Sequence, residues 1–254
     1  MSNSRSIAHL LGQNHTATRF VDSADVDNIV GNSTYLNARN LLHNAAMYVD
    51  QRNEGSAVTP ANATITFGPD RWFMFKNTAA TFTIDQDTEA PAGFKYSLKV
   101  TNTGTDSSIS ATDRALIIHR LEGQDVYHLG LGTSGAATVT LSLQVQFGLG
   151  VGTDFSGTAD AWADGDINSA TGATTAMLST SSATWYVTGI QLEVGSIATP
   201  FEHLSFAEYK RKCLRYYYRY RKTIAWGMFL TTRSWSTTNA DGIHSFPTSM
   251  RAAP

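Results

Sequence analysis

Apolar residues at every second position constrain the fold of this chain more than any other feature of its sequence. The pattern runs from Phe94 to Val100 and again from Val139 to Phe147, with Lys, Ser, Thr and Gln between the apolar residues. Successive side chains of a β-strand point to opposite faces, so a period of two predicts strands with one buried and one hydrated face.

Five further stretches have the composition of short strands: 64–68, 71–76, 80–85, 114–123 and 184–194. Clusters rich in Gly, Thr, Ser and Asp separate them, as turns do. Many short strands joined by polar loops are typical of two antiparallel sheets packed face to face. We therefore predict a mainly β fold, an antiparallel β-sandwich.

Composition excludes several other classes of protein. A chain of 254 residues can bury a full core without a disulfide or a metal, and Cys213, the only cysteine, excludes an internal disulfide and any CxxC metal site. The net charge of −2 predicts neither nucleic acid nor an anionic membrane as partner. No apolar run approaches the roughly 20 residues that span a bilayer. We expect no membrane insertion, no cofactor and no bound metal.

The N-terminal segment, residues 1–39, differs from the rest of the chain. Ile7, Leu10 and Leu11 form a short apolar helical stripe followed by a polar stretch. A helix this short is marginal in isolation and needs a partner surface. Two interpretations stay open: an unattached terminus, or a peptide that becomes ordered when it docks on an assembly, with these three residues as its attachment contacts.

One amphipathic helix is predicted over residues 206–222. Its apolar face would consist of residues at steps of three and four: Phe206, Tyr209, Cys213, Tyr216 or Tyr217, and Tyr220. Ser205 is placed to cap the helix, with Glu208 three residues later as in a capping box. We expect Cys213 to be a buried core thiol rather than a nucleophile. The residues after the helix return to strand character.

Basic residues are concentrated in the same helix: Lys210, Arg211, Lys212, Arg215, Arg219, Arg221 and Lys222. The simplest interpretation is a solvated basic face with the tyrosines turned inward. Two alternatives stay open, a stacking and phosphate-binding surface for nucleic acid and a face that meets acidic groups of a neighbouring subunit. We favour the solvated face and expect no nucleic-acid partner.

Motifs of enzyme chemistry are weak. Residues 130–135, GLGTSG, fit a dinucleotide-binding pattern, but an alternating strand follows where that motif needs a helix, so a hairpin turn is predicted. Asp164, Asp166 and Asn168 have the spacing of a calcium loop, yet Ser169 and Thr175 replace its glycine and closing acid. A helix–loop–helix calcium site is excluded, and a looser calcium loop stays open. His119, within a strand pattern, is interpreted as a surface or hydrogen-bonded strand residue.

Aromatic residues offer a means of holding sugars. We expect most of the five Trp and ten Tyr to lie in the core, because aromatic side chains supply much of the buried area of a sandwich. Trp162 is different because it lies in a loop among alanines and aspartates. Trp162, Asp164 and Asp166 are therefore the glycan-binding candidates.

Several stretches, taken together and in order, resemble a family of phage tail-fibre and virion-appendage modules. NLLHNAAMYVDQRN (40–53) resembles the family's "NLI-NG-M-VDQRN" opening, and GPDRWFMF (68–75) resembles its "DRW" strand. VTGIQLEVGSIATPFEHLSF (187–206) is similar to "ITGVQLEVGSVATPFEHRSY", and CLRYYYR (213–219) to "LCQRYYYR". The resemblance covers residues 40–254 and not residues 1–39.

The resemblance implies a β-sandwich of jelly-roll type, like a carbohydrate-binding module, placed on a trimeric fibre. It implies a structural or receptor-binding role and supplies no catalytic residues. On the tyrosine-rich stripe we add the hypothesis that Tyr216, Tyr217 and Tyr220 pack at the threefold axis of a homotrimer.

Two departures from the family pattern stand out. The family has further strands where Gln146 joins Phe147 here, and it continues past the residues that match Pro254. We expect residues to be absent at both places, because a sandwich without central strands would expose unpaired edges.

The sequence thus predicts a non-enzymatic virion protein of a tailed bacteriophage, a tail fibre located in the virion. Residues 1–39 would attach to other virion proteins, 40–200 would form the β-module that contacts host-surface glycan, and 201–254 would form the helix and the start of an incomplete C-terminal β region. The alternatives are a capsid-bound head fibre or decoration protein on the capsid surface, and a tailspike that depolymerises glycan.

Overall fold

The structure is a computed structural model that describes residues 39–122, 144–161, 165–193, 198–219, 232–234, 240–242 and 246–251, with the backbone alone described at 232–234 and 240–242. The chain divides into two compact units, Met1–Arg39 and Asn40–Pro254. All elements below belong to the second unit. Several predictions lie outside the described residues: those on Ile7, Leu10, Leu11, Trp162, Asp164, Tyr220 and the 130–135 turn.

Strands make up most of the regular structure. In chain order they are β1 (Ile65–Phe67), β2 (Trp72–Asn77), β3 (Thr81–Asp87), β4 (Ser97–Gly104), β5 (Arg114–Arg120), β6 (Gln144–Val151), β7 (Ser156–Gly157), β8 (Ser169–Ala170), β9 (Thr184–Val187), β10 (Thr232–Ser234) and β11 (Ala240–Gly242). Within the described residues, a 3₁₀ turn covers Thr153–Phe155 and is followed by the α-helices α1 (Ala176–Ser179) and α2 (Phe206–Leu214). The predicted mainly β fold is confirmed.

Two antiparallel sheets carry the fold. The first has the order β1-β2-β5-β6, and the second has the order β3-β4-β9. In the first sheet Trp72 lies opposite His119, and Phe147 lies opposite Ile117. Two small pairs complete the sheets, parallel β7–β8 and antiparallel β10–β11. Strand β6 runs without a break through Gln146 and Phe147, where the sequence predicted absent residues.

One hydrophobic cluster receives every second residue of strands from both sheets. From the first sheet come Trp72, Met74, Ala115 and Ile117; from the second come Phe82, Ile84, Leu98 and Val100, all of them fully buried. The alternation predicted for 94–100 is therefore confirmed at Leu98 and Val100. A β-sandwich requires such a cluster shared by two sheets. The assignments to a sandwich and to a jelly-roll nevertheless stay predictions.

The first sheet is apolar on its other face as well. Phe73, Leu116, Ile118 and Val151 form a second buried cluster there, with Phe67, Phe75 and Phe155 packed against it. Strands β2 and β5 are therefore not the half-buried strands of the alternating pattern. This outward apolar face is the one on which a candidate site lies.

Residues 40–49 are almost entirely buried although they form neither helix nor strand. Asn44, with none of its surface exposed, replaces the missing backbone pairing: its amide nitrogen donates to the carbonyls of Val49 and Asp70, each at 2.8 Å, and its oxygen accepts from the Val49 N–H at 2.9 Å. Its φ of 56° lies in the left-handed region, which asparagine tolerates better than most residues. The irregular segment is thereby fixed in the core.

The predicted C-terminal helix begins correctly and ends early. Ser205 accepts from the Glu208 N–H and the Glu208 carboxylate accepts in return, so the capping box is confirmed, and Tyr209 and Cys213 are buried as predicted. Phe206, by contrast, is 57 % exposed.

The prediction that this helix continues to residue 222 is wrong, because it ends at Leu214. Tyr216, Tyr217 and Tyr218 all line one cavity. Consecutive residues of a helix point about 100° apart, so a helix could not turn all three toward the same space.

The predicted strand over 184–194 is also shorter than expected. Strand β9 ends at Val187, and Gly189 then takes a φ of 67° while its N–H donates to the Ala45 carbonyl at 2.9 Å. The pairing of Gly189 with the buried 40–49 segment, rather than with β4, ends the strand. Across the described part of the chain, no helix has the length and apolar character needed to cross a membrane.

Candidate functional site

The outward face of the first sheet forms a cavity of about 540 Å³, which we call the sheet groove. Its floor consists of side chains that the strand period turns away from the shared cluster. The groove is lined by Ala63, Thr64, Ile65, Phe73, Phe75, Arg114, Leu116, Ile118, Arg120, Gln144, Gln146 and Asp166. Cavities of roughly 300–1,000 Å³ are the usual size of small-ligand sites.

Two arginines at the ends of β5 lie over the aromatic floor. The Arg114 guanidinium is 5.0 Å from the Phe75 ring centre and 4.2 Å from that of Phe155. Arg120 lies 5.0 Å from the Phe73 ring centre. Stacking of this kind holds a guanidinium plane in place while its N–H edge stays able to donate.

A polar network forms one wall of the groove. Asp166 pairs with Arg114, and Asn168 donates both to Asp166, at 3.0 Å, and to the Gln146 side chain, at 2.9 Å. Burial alone would raise the pKa of Asp166, but the hydrogen bonds from Asn168 and Arg114 outweigh it and lower that pKa. Asp166 is therefore held as a carboxylate.

The groove combines the groups that recognise a sugar. Aromatic and aliphatic side chains can cover the apolar face of a pyranose ring, and amide and guanidinium groups can bond its hydroxyls. All of these groups stand on paired strands, which fix their spacing. The arrangement can hold a saccharide by stacking and hydrogen bonding.

Of the three glycan-binding candidates, the described residues include one. Asp166 lies in the wall of the sheet groove, while Trp162 and Asp164 lie outside the described residues. Among the residues that the structure describes, no group of three or more His, Cys, Asp or Glu side chains could hold a metal ion. Asp166 and Asn168, the described members of the calcium pattern, bond to Arg114 and Gln146.

Sequence reasoning missed the rest of the groove. Its floor comes from strands β2 and β5, whose outward residues Phe73, Phe75, Leu116 and Ile118 are apolar and so give no period of two. The available signal was a strand apolar on both faces and bounded by arginines, as in RALIIHR (114–120). Such a strand indicates either a second core or a binding floor.

The stretches that carried the family resemblance meet at a second place. Arg52 of the 40–53 stretch lies between two rings, 4.3 Å from the Phe67 centre and 3.8 Å from the Tyr217 centre. Arg71 of the DRW stretch lies 3.5 Å from the centre of the Tyr216 ring. These residues line a cavity of about 420 Å³ that we call the arginine cavity. Tyr216 and Tyr217 therefore stack on arginines of their own chain, and their role at a trimer axis stays a prediction.

The basic residues after α2 find acidic partners within the chain. Arg215 and Arg251 both pair with Glu122, at 3.3 and 2.8 Å, and Arg219 pairs with Glu54 at 3.4 Å. The sequence predicted a fully solvated basic face, whereas Arg215 and Arg219 are in ion pairs with carboxylates of the same chain. Arg221 and Lys222 lie outside the described residues.

The 187–206 stretch is joined to the start of the module by hydrogen bonds. The Asn40 N–H donates to the Glu202 carboxylate at 3.0 Å, and its side-chain amide donates to the Ile190 carbonyl at 2.8 Å. Glu193 accepts from the N–H and the hydroxyl of Thr199, each at 2.6 Å. These motif residues hold the module together.

Comparisons of the chain with protein-family models, with curated proteins and with solved structures give no match. The likeness to phage fibre modules stays a prediction made from its motifs.

Proposed function

We propose that this chain is a non-enzymatic structural protein of a tailed-bacteriophage virion, a tail fibre whose β-module holds host-surface glycan in the sheet groove. In this proposal the two sheets pack as a jelly-roll sandwich resembling a carbohydrate-binding module. The observation that carries the adhesion role is the aromatic, arginine-flanked groove on the outward face of the first sheet. The virion assignment is supported by the ordered motif resemblance.

The composition of the groove supports recognition of a hydroxylated ligand. Arg120 is exposed at one end of the groove, and the exposed Gln144 and half-buried Gln146 lie along β6 beside the apolar floor. An apolar floor with a few placed polar groups is the usual make-up of a small-ligand site.

The state of Asp166 supports binding rather than hydrolysis. A general acid in glycoside hydrolysis needs a raised pKa so that it carries a proton to donate. Hydrogen bonds from Asn168 and Arg114 lower the pKa of Asp166 instead. Its role in the proposal is to orient Arg114 at the groove wall.

Weak single sites suit a fibre. Three copies on a trimer present three grooves together, and linked sites gain avidity of roughly 10²–10⁴ over one site without any new contact. Adhesion to a repeating bacterial polysaccharide is thus consistent with a modest affinity at each groove.

The test is binding of the full-length protein to an array of bacterial lipopolysaccharide and capsular oligosaccharides. We expect saturable binding to a subset of saccharides. Arg120→Ala and Gln146→Ala should each weaken it by about tenfold, the value of one lost charged or bridging hydrogen bond. Arg211→Ala, at an exposed position of α2, is the matched control and should bind like the unchanged protein.

Two outcomes would contradict the proposal. One is the absence of saturable binding to any saccharide, and the other is binding that Arg120→Ala and Gln146→Ala leave unchanged. Release of shortened saccharides from the array would show a depolymerase and would overturn the non-enzymatic assignment.

A further inference from the structure

We infer that the arginine cavity is a second ligand site, one that takes the carboxylate of an acidic sugar, a hexuronate. The inference does not rest on the sheet groove, because the arginine cavity has different residues from different segments. Its lining includes Arg52, Arg71, Arg215 and Arg251, with aromatic walls from Phe67 and Tyr217.

The Arg52 guanidinium is the central observation. Its Cζ atom lies over both the Phe67 ring and the Tyr217 ring, 4.3 and 3.8 Å from their centres, so two aromatic side chains hold the cation in place. Among the residues that the structure describes, none accepts a hydrogen bond from this side chain. Arg114, stacked in a similar way, has its edge occupied by Asp166. Arg52 thus has N–H donors that no described residue occupies.

The charge around Arg52 favours an anion. Four arginines line the cavity, and Asp70 is the one acidic residue among its described lining residues. Glu122, which is not part of the lining, pairs with both Arg215 and Arg251. Asp70 accepts two hydrogen bonds from Gln51, at 3.1 and 2.6 Å, rather than bonding Arg52. Burial lowers the pKa of Arg52, while the nearby carboxylates of Asp70 and Asp50 act against that shift. An anionic ligand would add to the effect of these two carboxylates.

The backbone at Arg71 adds an independent observation. Arg71 has a φ of 78°, in the left-handed region where a bulky residue is a true outlier. Strained residues of this kind cluster at active sites and ligand-binding positions. The turn at Pro69–Trp72 places this guanidinium over the Tyr216 ring beside the cavity.

A carboxylate on a sugar fits the shape and the walls. A planar guanidinium edge matches a carboxylate bidentately. The cavity of about 420 Å³ lies within the usual range for a small ligand. Phe246 and Met250 supply further apolar wall for a pyranose ring.

The experiment is calorimetric titration of the full-length protein with glucuronate, with glucose and with inorganic phosphate at low salt. We expect saturable binding of glucuronate and none of glucose. Arg52→Gln should abolish this binding, and Arg52→Lys, which keeps the charge but not the fork, should weaken it by roughly tenfold. Arg211→Gln removes the same charge from an exposed position of α2 and should leave the affinity unchanged.

Arg52→Lys also protects the test against misfolding, because it keeps a cation between the rings, and its near-ultraviolet circular dichroism should match that of the unchanged protein. The inference is overturned if glucuronate does not bind, or if Arg52→Gln binds it normally. Equal binding of phosphate and glucuronate would also overturn it, since the site would then select charge alone. Loss of binding in Arg120→Ala but not in Arg52→Gln would assign the sugar to the sheet groove instead.

Discussion

At the scale of single residues, buried titratable groups determine how the module responds to acid. His43 and His119 are buried beside each other, with the His119 Nε2 3.1 Å from the His43 carbonyl oxygen. Burial, then Arg71 and Lys212, lower the pKa of His43 to about 3. Burial, then Arg71 and His43, lower the pKa of His119 as well. Both histidines are therefore neutral in the folded protein at pH values where they would be charged once unfolded.

Asp70 acts in the opposite direction. Burial raises the pKa of Asp70 to about 6, although Gln51 and Arg52 favour its charged form. A carboxyl with a raised pKa stabilises the fold below its unfolded pKa of 3.8, and that contribution is lost as the pH rises through about 6. The two histidines act the other way, because the contribution of each to the stability of the fold is lost as the pH falls below their unfolded pKa of 6.5.

Asp50 and Asp85 have raised pKa values as well and act like Asp70. Because the shift of His43, from 6.5 to about 3, spans the whole interval and His119 shifts the same way, we predict that the free energy of unfolding falls between pH 6.5 and pH 4. Asp70→Asn removes one compensating group, so its stability should fall more steeply over the same interval. Urea unfolding at pH 7, 6, 5 and 4 measures both slopes. A variant with a shallower slope than the unchanged protein would refute this assignment.

At the scale of elements, the end of β9 depends on one backbone conformation. Gly189 has a φ of 67°, and a Cβ added there would lie 2.5 Å from the Cζ atom of Phe94. Gly172 has a similar φ of 82° but no atom within 4 Å of an added Cβ. The two glycines thus differ in packing and not in backbone strain.

We predict that Gly172→Ala costs about 1 kcal/mol through φ alone, and that Gly189→Ala costs a further 1–3 kcal/mol, roughly, from overpacking against Phe94. Urea unfolding of the two variants measures the difference. Equal costs would show that Phe94 moves aside freely and that the end of β9 is not fixed by this contact.

Elements also show what could be predicted from the sequence. The burial of Leu98 and Val100 and the start of α2 at Ser205 depend on nearby residues, so a local pattern predicts them. The end of α2 depends on Arg52 and Arg71, which lie more than a hundred positions away in the chain. The sheet groove needs the pairing of β2 with β5 and of β5 with β6, so of its lining only Asp166 was a candidate.

At the scale of the whole molecule, the proposed function depends on assembly. We predict that the full-length protein has the mass of a homotrimer in solution, measured by light scattering after size exclusion. Avidity then predicts that binding to immobilised polysaccharide far exceeds binding to one free repeat unit. A monomeric mass would contradict the trimer, and with it the hypothesis that Tyr216, Tyr217 and Tyr220 meet at a threefold axis.

The buried irregular segment at 40–49 has a practical consequence for anyone who dissects this protein. Asn40 bonds to Glu202 and Ile190, and Asn44 bonds to Val49 and Asp70. The segment at the start of the module is therefore part of its core. A recombinant fragment that begins at β1 would keep the strands described above but would lose Leu41, Leu42, Ala45 and Met47 from the shared hydrophobic cluster. Truncation designs should keep Asn40 and everything after it.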